Sequence, residues 1–325
     1  MGIQMDRFSA SEDKTKILFF DCECANCKGG VGKICSLGYV LCDDKFNVIQ
    51  KEDIVMNPES EFDWYLFSGK GDISLSYSRE YFRSQGAFPE FYEKIKALFT
   101  ENNPMVAGFA VGNDVGFVNS ACSRYKLPFI EFQAFDVEKI LSQFYGEKRK
   151  LKDWFSFFAY DDEGLQFHNS ADDAHATMLC LKYFCRDNKK EVFEIFESHK
   201  DLFVSSQQMV EQARERDKKK RLKEKIERFH NRSNKNPTYT TVLNQNFELD
   251  SSMCRTPSDL ERSLKLVHKI YENGGILRRH LRAGTENEKG GYVIFANETS
   301  EQAKSVVDKR FLFAITEKEL LSILE

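Results

Sequence analysis

Asp21 and Glu23 stand two residues apart at the end of the apolar run Lys16-Ile17-Leu18-Phe19-Phe20. Residues two apart on a strand share a face, so both carboxylates project to one side. Two acids there are costly to desolvate unless something pairs them. A divalent cation is the partner that oxygen donors suit best, with Mg²⁺ and Mn²⁺ the natural candidates. Taken alone, the pair equally marks the exposed end of a strand. Asp114, in Gly108-Phe-Ala-Val-Gly-Asn-Asp114-Val-Gly-Phe, follows a second apolar run and opens a helix. That is a place for functional groups in α/β proteins, and also for an ordinary N-cap. In His168-Asn-Ser-Ala-Asp172-Asp173-Ala174, Asp173 falls on the apolar side of a helix and Asp172 points elsewhere. His168 precedes that helix and is free to hang over the same place.

These residues need a scaffold, and the pattern supplies one. The run 16–20 predicts a buried strand, and 36–41 and 48–56 predict two more, joined by the turn Cys42-Asp43-Asp44-Lys45. Three strands in this order predict a meander opening a mixed sheet. Phe88, Phe91, Tyr92, Ile95, Leu98 and Phe99 recur at helical steps. A strand at 105–110 and helices at 115–125, 136–145 and 151–158 follow. Ala171, Ala174, Met178, Leu181 and Phe184 form one helix face, capped by Asn169 or Ser170. This alternation predicts an α/β domain over 14–200, after a disordered tail at 1–13.

Residues 211–235 hold eleven Lys and Arg against five Asp and Glu. They predict a basic helical linker over 201–236, either a solvated helix or an arm for phosphates. From Pro237 a smaller α/β domain over 237–325 is expected. Its strands fall at 246–249, 276–281, 292–296 and 311–315, with helices at 260–271, 300–307 and 317–324, and Gly274-Gly275 closes the first helix.

Apolar residues make up 41% of the 325, with 29 Phe available to fill cores, so two domains can each bury one. No apolar run reaches membrane-spanning length and no signal-peptide pattern opens the chain, so a cytoplasmic protein without a membrane partner is expected. The formal charge of −4 argues against a general nucleic-acid coat. It leaves room for a nuclease whose carboxylates are neutralised by metal. Five of nine cysteines lie between Cys22 and Cys42, and Cys24-x-x-Cys27 has zinc-like spacing. No second such pair and no nearby His completes a tetrahedral set, so reduced thiols around a buried strand are the reading taken.

Together the three motifs resemble the DEDDh branch of the DnaQ-like exonucleases over roughly residues 14–190. Asp21, Glu23, Asp114, His168 and Asp173 match its five site positions in order, and Asp136 and Leu151 agree. Phe109 and Ala110 stand where the family often has His-Asn, Cys24 where Thr is frequent, and 57–87 is irregular. The resemblance implies an RNase H-like mixed-sheet fold and a 3′–5′ exonuclease. It implies two Mg²⁺ or Mn²⁺ ions, with Asp21 bridging them, Glu23 and Asp173 on one, Asp114 supporting the other, and His168 as general base. The implied partner is a single-stranded 3′ end. DNA is favoured over RNA because the C-terminal element order resembles a BRCT domain, which binds a protein partner or DNA ends and would point to DNA repair. RNA or oligoribonucleotides remain an alternative, and so does an inactive scaffold, although no ligand position is lost.

Overall fold

In a computed structural model, the structure describes residues 16–68, 74–158, 164–285, 290–297, 305 and 307–325. These fall into two compact units, one ending at Val210 and the other beginning at Glu211.

In the N-terminal unit β1 (Ile17–Cys24), β2 (Ile34–Cys42) and β3 (Val48–Val55) form an antiparallel meander. Helices α1 (Arg79–Ser84) and α2 (Phe88–Thr100) precede β4 (Met105–Gly108), which pairs parallel to β1. Then come α3 (Gly112–Tyr125), β5 (Gln133–Asp136), α4 (Val137–Tyr145) and α5 (Leu151–Phe157). Next are α6 (Ser170–Asn188), α7 (Val192–Ser198) and β6 (Phe203–Ser205), and α8 (Ser206–Glu227) follows across the division between units. The sheet runs β3-β2-β1-β4-β5-β6, with β4 and β5 parallel and β6 antiparallel at the edge. Strands β5 and β6, of four and three residues, escaped the sequence reading because neither is long enough to show alternation. The linker helix begins at Ser206, since Phe203–Ser205 is taken into this sheet.

Period-two alternation along β1 divides the core. Ile17 and Phe19 pack with α4, α5, α6 and α7, while Leu18, Phe20 and Cys22 pack with α2 and α3. Asp21 and Glu23 continue the first series and therefore face α6. Opposite Asp21 across the ladder stands Gly38 of β2, and opposite Gly38 stands Asp53 of β3. Gly38 is the point of closest approach. A Cβ there would lie 1.9 Å from the Ala171 nitrogen and 2.0 Å from the Ser170 carbonyl carbon. The first turn of α6 rests on bare backbone, between two acids.

In the C-terminal unit β7 (Asn246–Leu249), β8 (Ile276–Leu277), β9 (Tyr292–Phe295) and β10 (Phe313–Thr316) form an all-parallel sheet in the order β10-β9-β7-β8. Helix α9 (Pro257–Glu272) starts at a Thr256–Asp259 capping box, and Gly274 follows it at φ +80°. Helix α10 (Glu317–Leu324) closes the chain. The strand expected at 276–281 is only two residues long. Most of the helix expected at 300–307, and the tail at 1–13, lie outside the described residues. No helix among the described residues is long and apolar enough to cross a membrane.

Gly38→Ala should lower unfolding stability by about 1–3 kcal/mol or more, because backbone rather than a flexible side chain must give way. Urea unfolding followed by circular dichroism measures this, and an unchanged midpoint would contradict the packing described.

Candidate active site

β1 pairs with β4 only over Ile17, Leu18 and Phe19, so its backbone edge is open beyond that point. The N–H of Cys22, lying between the two acids and left unpaired by β4, donates to Asp114 Oδ1 at 3.1 Å. Asp114 reaches it from the first turn of α3, after Ala110 has turned the chain at φ +50°. It is therefore not an N-cap. One of its oxygens completes the hydrogen bonding of the strand that carries the other acids.

α6 delivers the remaining groups. Asn169 caps the helix by accepting from the Asp172 N–H at 3.1 Å. Asp173, one turn in, is buried, and its Oδ2 accepts from the His168 N–H at 3.0 Å. Asp172 turns outward to Lys51 Nζ at 2.6 Å. His168 adopts φ +68°, a conformation uncommon outside glycine, and both its backbone groups are tied, the carbonyl accepting from Ser76 Oγ at 3.1 Å. That backbone directs the imidazole toward β1, with Nδ1 3.8 Å from Glu23 Oε1.

The donor atoms of Glu23, His168 and Asp173 lie within 4.8 Å of one another. Asp21 adjoins the set, with Asp114 and Asp173 both near enough to act on its carboxyl and Asp114 held at the open edge of β1. Burial pushes the Asp21 carboxyl well above its ordinary range, and Asp114, Asp173, Glu23 and Asp53 add to the rise. Burial also raises Asp114, against the opposing hydrogen bond from Cys22. Asp173 is pushed up to about 7 by burial and by Glu23, while the His168 N–H pulls it down. Its second oxygen, Oδ1, is buried without a hydrogen-bond partner. An orphaned carboxylate oxygen beside other raised carboxyls fits a hard divalent cation. Burial raises the Cys22, Cys24 and Cys35 thiols, holding them protonated, and the candidate ligand group contains no cysteine.

A supporting layer was missed in the sequence. Asp53 Oδ1 accepts from Ser170 Oγ at 2.8 Å, and Ser170 Oγ also meets Ser36 Oγ at 2.7 Å. Asn169 Nδ2 donates to Asp53 Oδ2 and Tyr77 Oη, both at 3.3 Å. This ties the start of α6 to β2 and β3. Nothing in the spacing of Asp53 marks it, since β3 is exposed over its first half, apolar Val48 and Ile49 included, and shows no clean alternation. Asp136, expected to open a helix, does so as the buried N-cap of α4.

A six-stranded mixed sheet with acids on its central strand, faced by an acid from a crossing helix and a histidine just before it, defines an RNase H-like nuclease domain of the DEDDh type. The chain belongs to the family described as Exonuclease, of the RNase T kind, whose model matches residues 18–181, half of the chain. Among solved structures it is similar to E. coli exonuclease I in complex with a dA16 oligonucleotide, at 15% identity and TM-score 0.46. That match covers 57% of this chain and 44% of the other, so the chain spans less than half of that protein's length. It is also similar to a 3′-exonuclease described by its recognition of the histone mRNA stem-loop (15% identity, TM-score 0.46, 54% of this chain and 83% of the other). A third is the nuclease domain of 3′hExo bound to rAMP (16%, TM-score 0.45, 55% and 95%). No curated protein matches the sequence.

The raised Asp173 carboxyl has a pH consequence. The native state binds this proton more tightly than the unfolded chain, so stability falls as pH rises from the ordinary value of 3.8 through about 7. Melting of the metal-free protein should show that decline, and Asp173→Asn should flatten it. Mn²⁺ should raise the melting temperature more above about pH 7 than near about pH 5, because the cation competes with those protons. Equal shifts at both pH values would contradict the site.

Proposed function

We propose that the protein is a 3′–5′ exonuclease that hydrolyses the terminal phosphodiester of a single-stranded nucleic acid, with DNA favoured. The observation that carries this reading is the convergence of Glu23, His168 and Asp173 beside Asp21, with one Asp173 oxygen left unsatisfied. Asp21, Glu23 and Asp173 would hold two Mg²⁺ or Mn²⁺ ions, supported by Asp114. When bound, such ions supply charge neutralisation on the attacking and leaving oxygens.

The chain's own residues do the rest. His168 takes a proton from the attacking water at the ring nitrogen not facing Glu23, and Glu23 beside Nδ1 stabilises the imidazolium formed. An unperturbed imidazole pKa of about 6.5 suits that transfer at neutral pH. The water oxygen bonds to phosphorus and the 3′ oxygen of the penultimate nucleotide leaves, releasing a nucleoside 5′-monophosphate. The backbone ties on His168 help to hold its ring in place. We further propose that the C-terminal unit is a BRCT-like module that brings the enzyme to DNA or to a protein partner. Support comes from the order of its described elements, strand–helix–strand–strand, then strand–helix.

A 5′-labelled single-stranded DNA and an RNA of the same sequence, each incubated with the protein and Mg²⁺ or Mn²⁺, test this directly. A ladder shortening from the 3′ end, abolished by chelator and by Asp21→Asn, is expected. His168→Ala should slow cleavage by roughly 10²–10⁴-fold. Near-normal cleavage by either variant would remove that residue from its role, and RNA cut faster than DNA would reverse the substrate preference.

A further inference from the structure

The C-terminal unit carries a groove that the hydrolytic site does not use. Arg214, Lys218, Arg221 and Lys225 fall at steps of four, three and four along α8, which puts them on one helix face over about 16 Å. They line a cavity of about 410 Å³ together with Leu222, Asp217 and Glu261. Lys218 is paired with Glu261 at 2.9 Å. Lys225 also lines a second cavity, of about 510 Å³, so the two adjoin there.

The second cavity has a different lining. Its cations are Lys225, Arg228 and Arg232, all exposed, and its rings are Phe229, His268 and Tyr271. Leu264 completes the described wall, which contains no carboxylate. Phe229 is half-buried and stands edge-on to both other rings, 4.6 Å from His268 and 5.5 Å from Tyr271 between centroids. It props them at the mouth, His268 exposed and Tyr271 half-exposed.

We propose that this groove binds a segment of single-stranded nucleic acid, with phosphates on Lys225, Arg228 and Arg232 and a base against His268 and Tyr271. Cations in a row attract any polyanion. Cations beside aromatic faces suit a polymer that alternates a phosphate with a flat base, and stacking tolerates any sequence. A duplex keeps its bases inside and has no use for the rings. An acidic peptide supplies the charge without the base. The stripe from Arg221 to Arg214 continues the track for the adjoining phosphates.

The inference rests on the nucleic-acid reading above, but its test does not need catalysis. Full-length Asp21→Asn protein, which would bind without cutting, is titrated against a labelled single-stranded oligonucleotide over a range of salt by fluorescence anisotropy. Adding Lys225→Gln, Arg228→Gln and Arg232→Gln together should weaken binding by about tenfold or more and reduce the salt slope by about 2. His268→Ala should weaken binding by about fivefold with the slope unchanged, as loss of stacking rather than charge requires. An unchanged Kd and slope in the triple variant, with melting showing it folded, would overturn the proposal. So would competition by polyglutamate as effective as that by unlabelled oligonucleotide, which would make the groove a site for acidic protein. In the otherwise wild-type chain, the triple variant should cut a dinucleotide at the unaltered rate and a long strand more slowly. If the wild-type protein cuts nothing, the hydrolytic reading fails while the anisotropy result stands.

Discussion

Carboxylates gathered within a few ångströms repel one another once charged, and the imidazole beside them offsets only part of that repulsion. Asp21, Asp114 and Asp173 are each pushed toward their neutral forms by burial and by neighbouring acids. The backbones that carry them must be fixed by other means. The first of those means is the contact of α6 with Gly38, where only hydrogen fits between helix and strand. The row Asp21–Gly38–Asp53 crosses β1, β2 and β3, and the helix start rests in its middle. Asp53 grips Ser170 from one side, while Asp21 faces Asp173 and Glu23 on the other. An apolar core of Phe19, Trp154, Met178 and Phe184 holds the rest of α6 down. Burial of that surface opposes the repulsion at the helix tip.

Two of the acids have one oxygen assigned to structure. Asp114 gives Oδ1 to the backbone of Cys22, and Asp173 gives Oδ2 to the backbone of His168. Charge-assisted bonds of this kind are strong, and they orient the carboxylates as well as holding them. The same bond that positions Asp173 sets the left-handed turn at His168, so carboxylate and imidazole are aimed by one interaction. Displacement of either would move both.

Much of this was legible in the sequence where chemistry and periodicity agreed. Alternation along 17–24 put Asp21 and Glu23 on one face, and the face of 171–184 turned Asp173 inward and Asp172 out. Asn169 was identifiable as a cap by residue type. Some short elements were not legible, since β5 and β6 have too few residues to carry a period, while β8 was read but taken as longer than its two residues. Asp53 was hidden for another reason. Its role depends on which strand lies beside β2 and on the register, and the pairing Gly38↔Asp53 cannot be read from local pattern. Asp114 was visible as a functional candidate, but its bond to Cys22 follows from β4 ending its pairing at Ala107.

The absence of a Cβ at Gly38 and the crowding of acids are linked. Were the helix held further away by even a methyl group, Asp173 would retreat from Glu23 and the repulsion would ease. The Ser170–Asp53 bond would also be lost. The structure takes the costly arrangement instead, with close backbones and crowded, buried carboxyls, one oxygen of which has no hydrogen-bond partner. Strain of this kind persists only where the surrounding packing over-determines it. A fold selected for stability alone has no reason to combine a glycine in a buried strand, an unsatisfied carboxylate oxygen and a histidine at positive φ within a single helix start. A site that must accept a cation has a reason for all three. The glycine admits the helix, the carboxylate oxygen offers a ligand atom, and the turn presents the imidazole beside it.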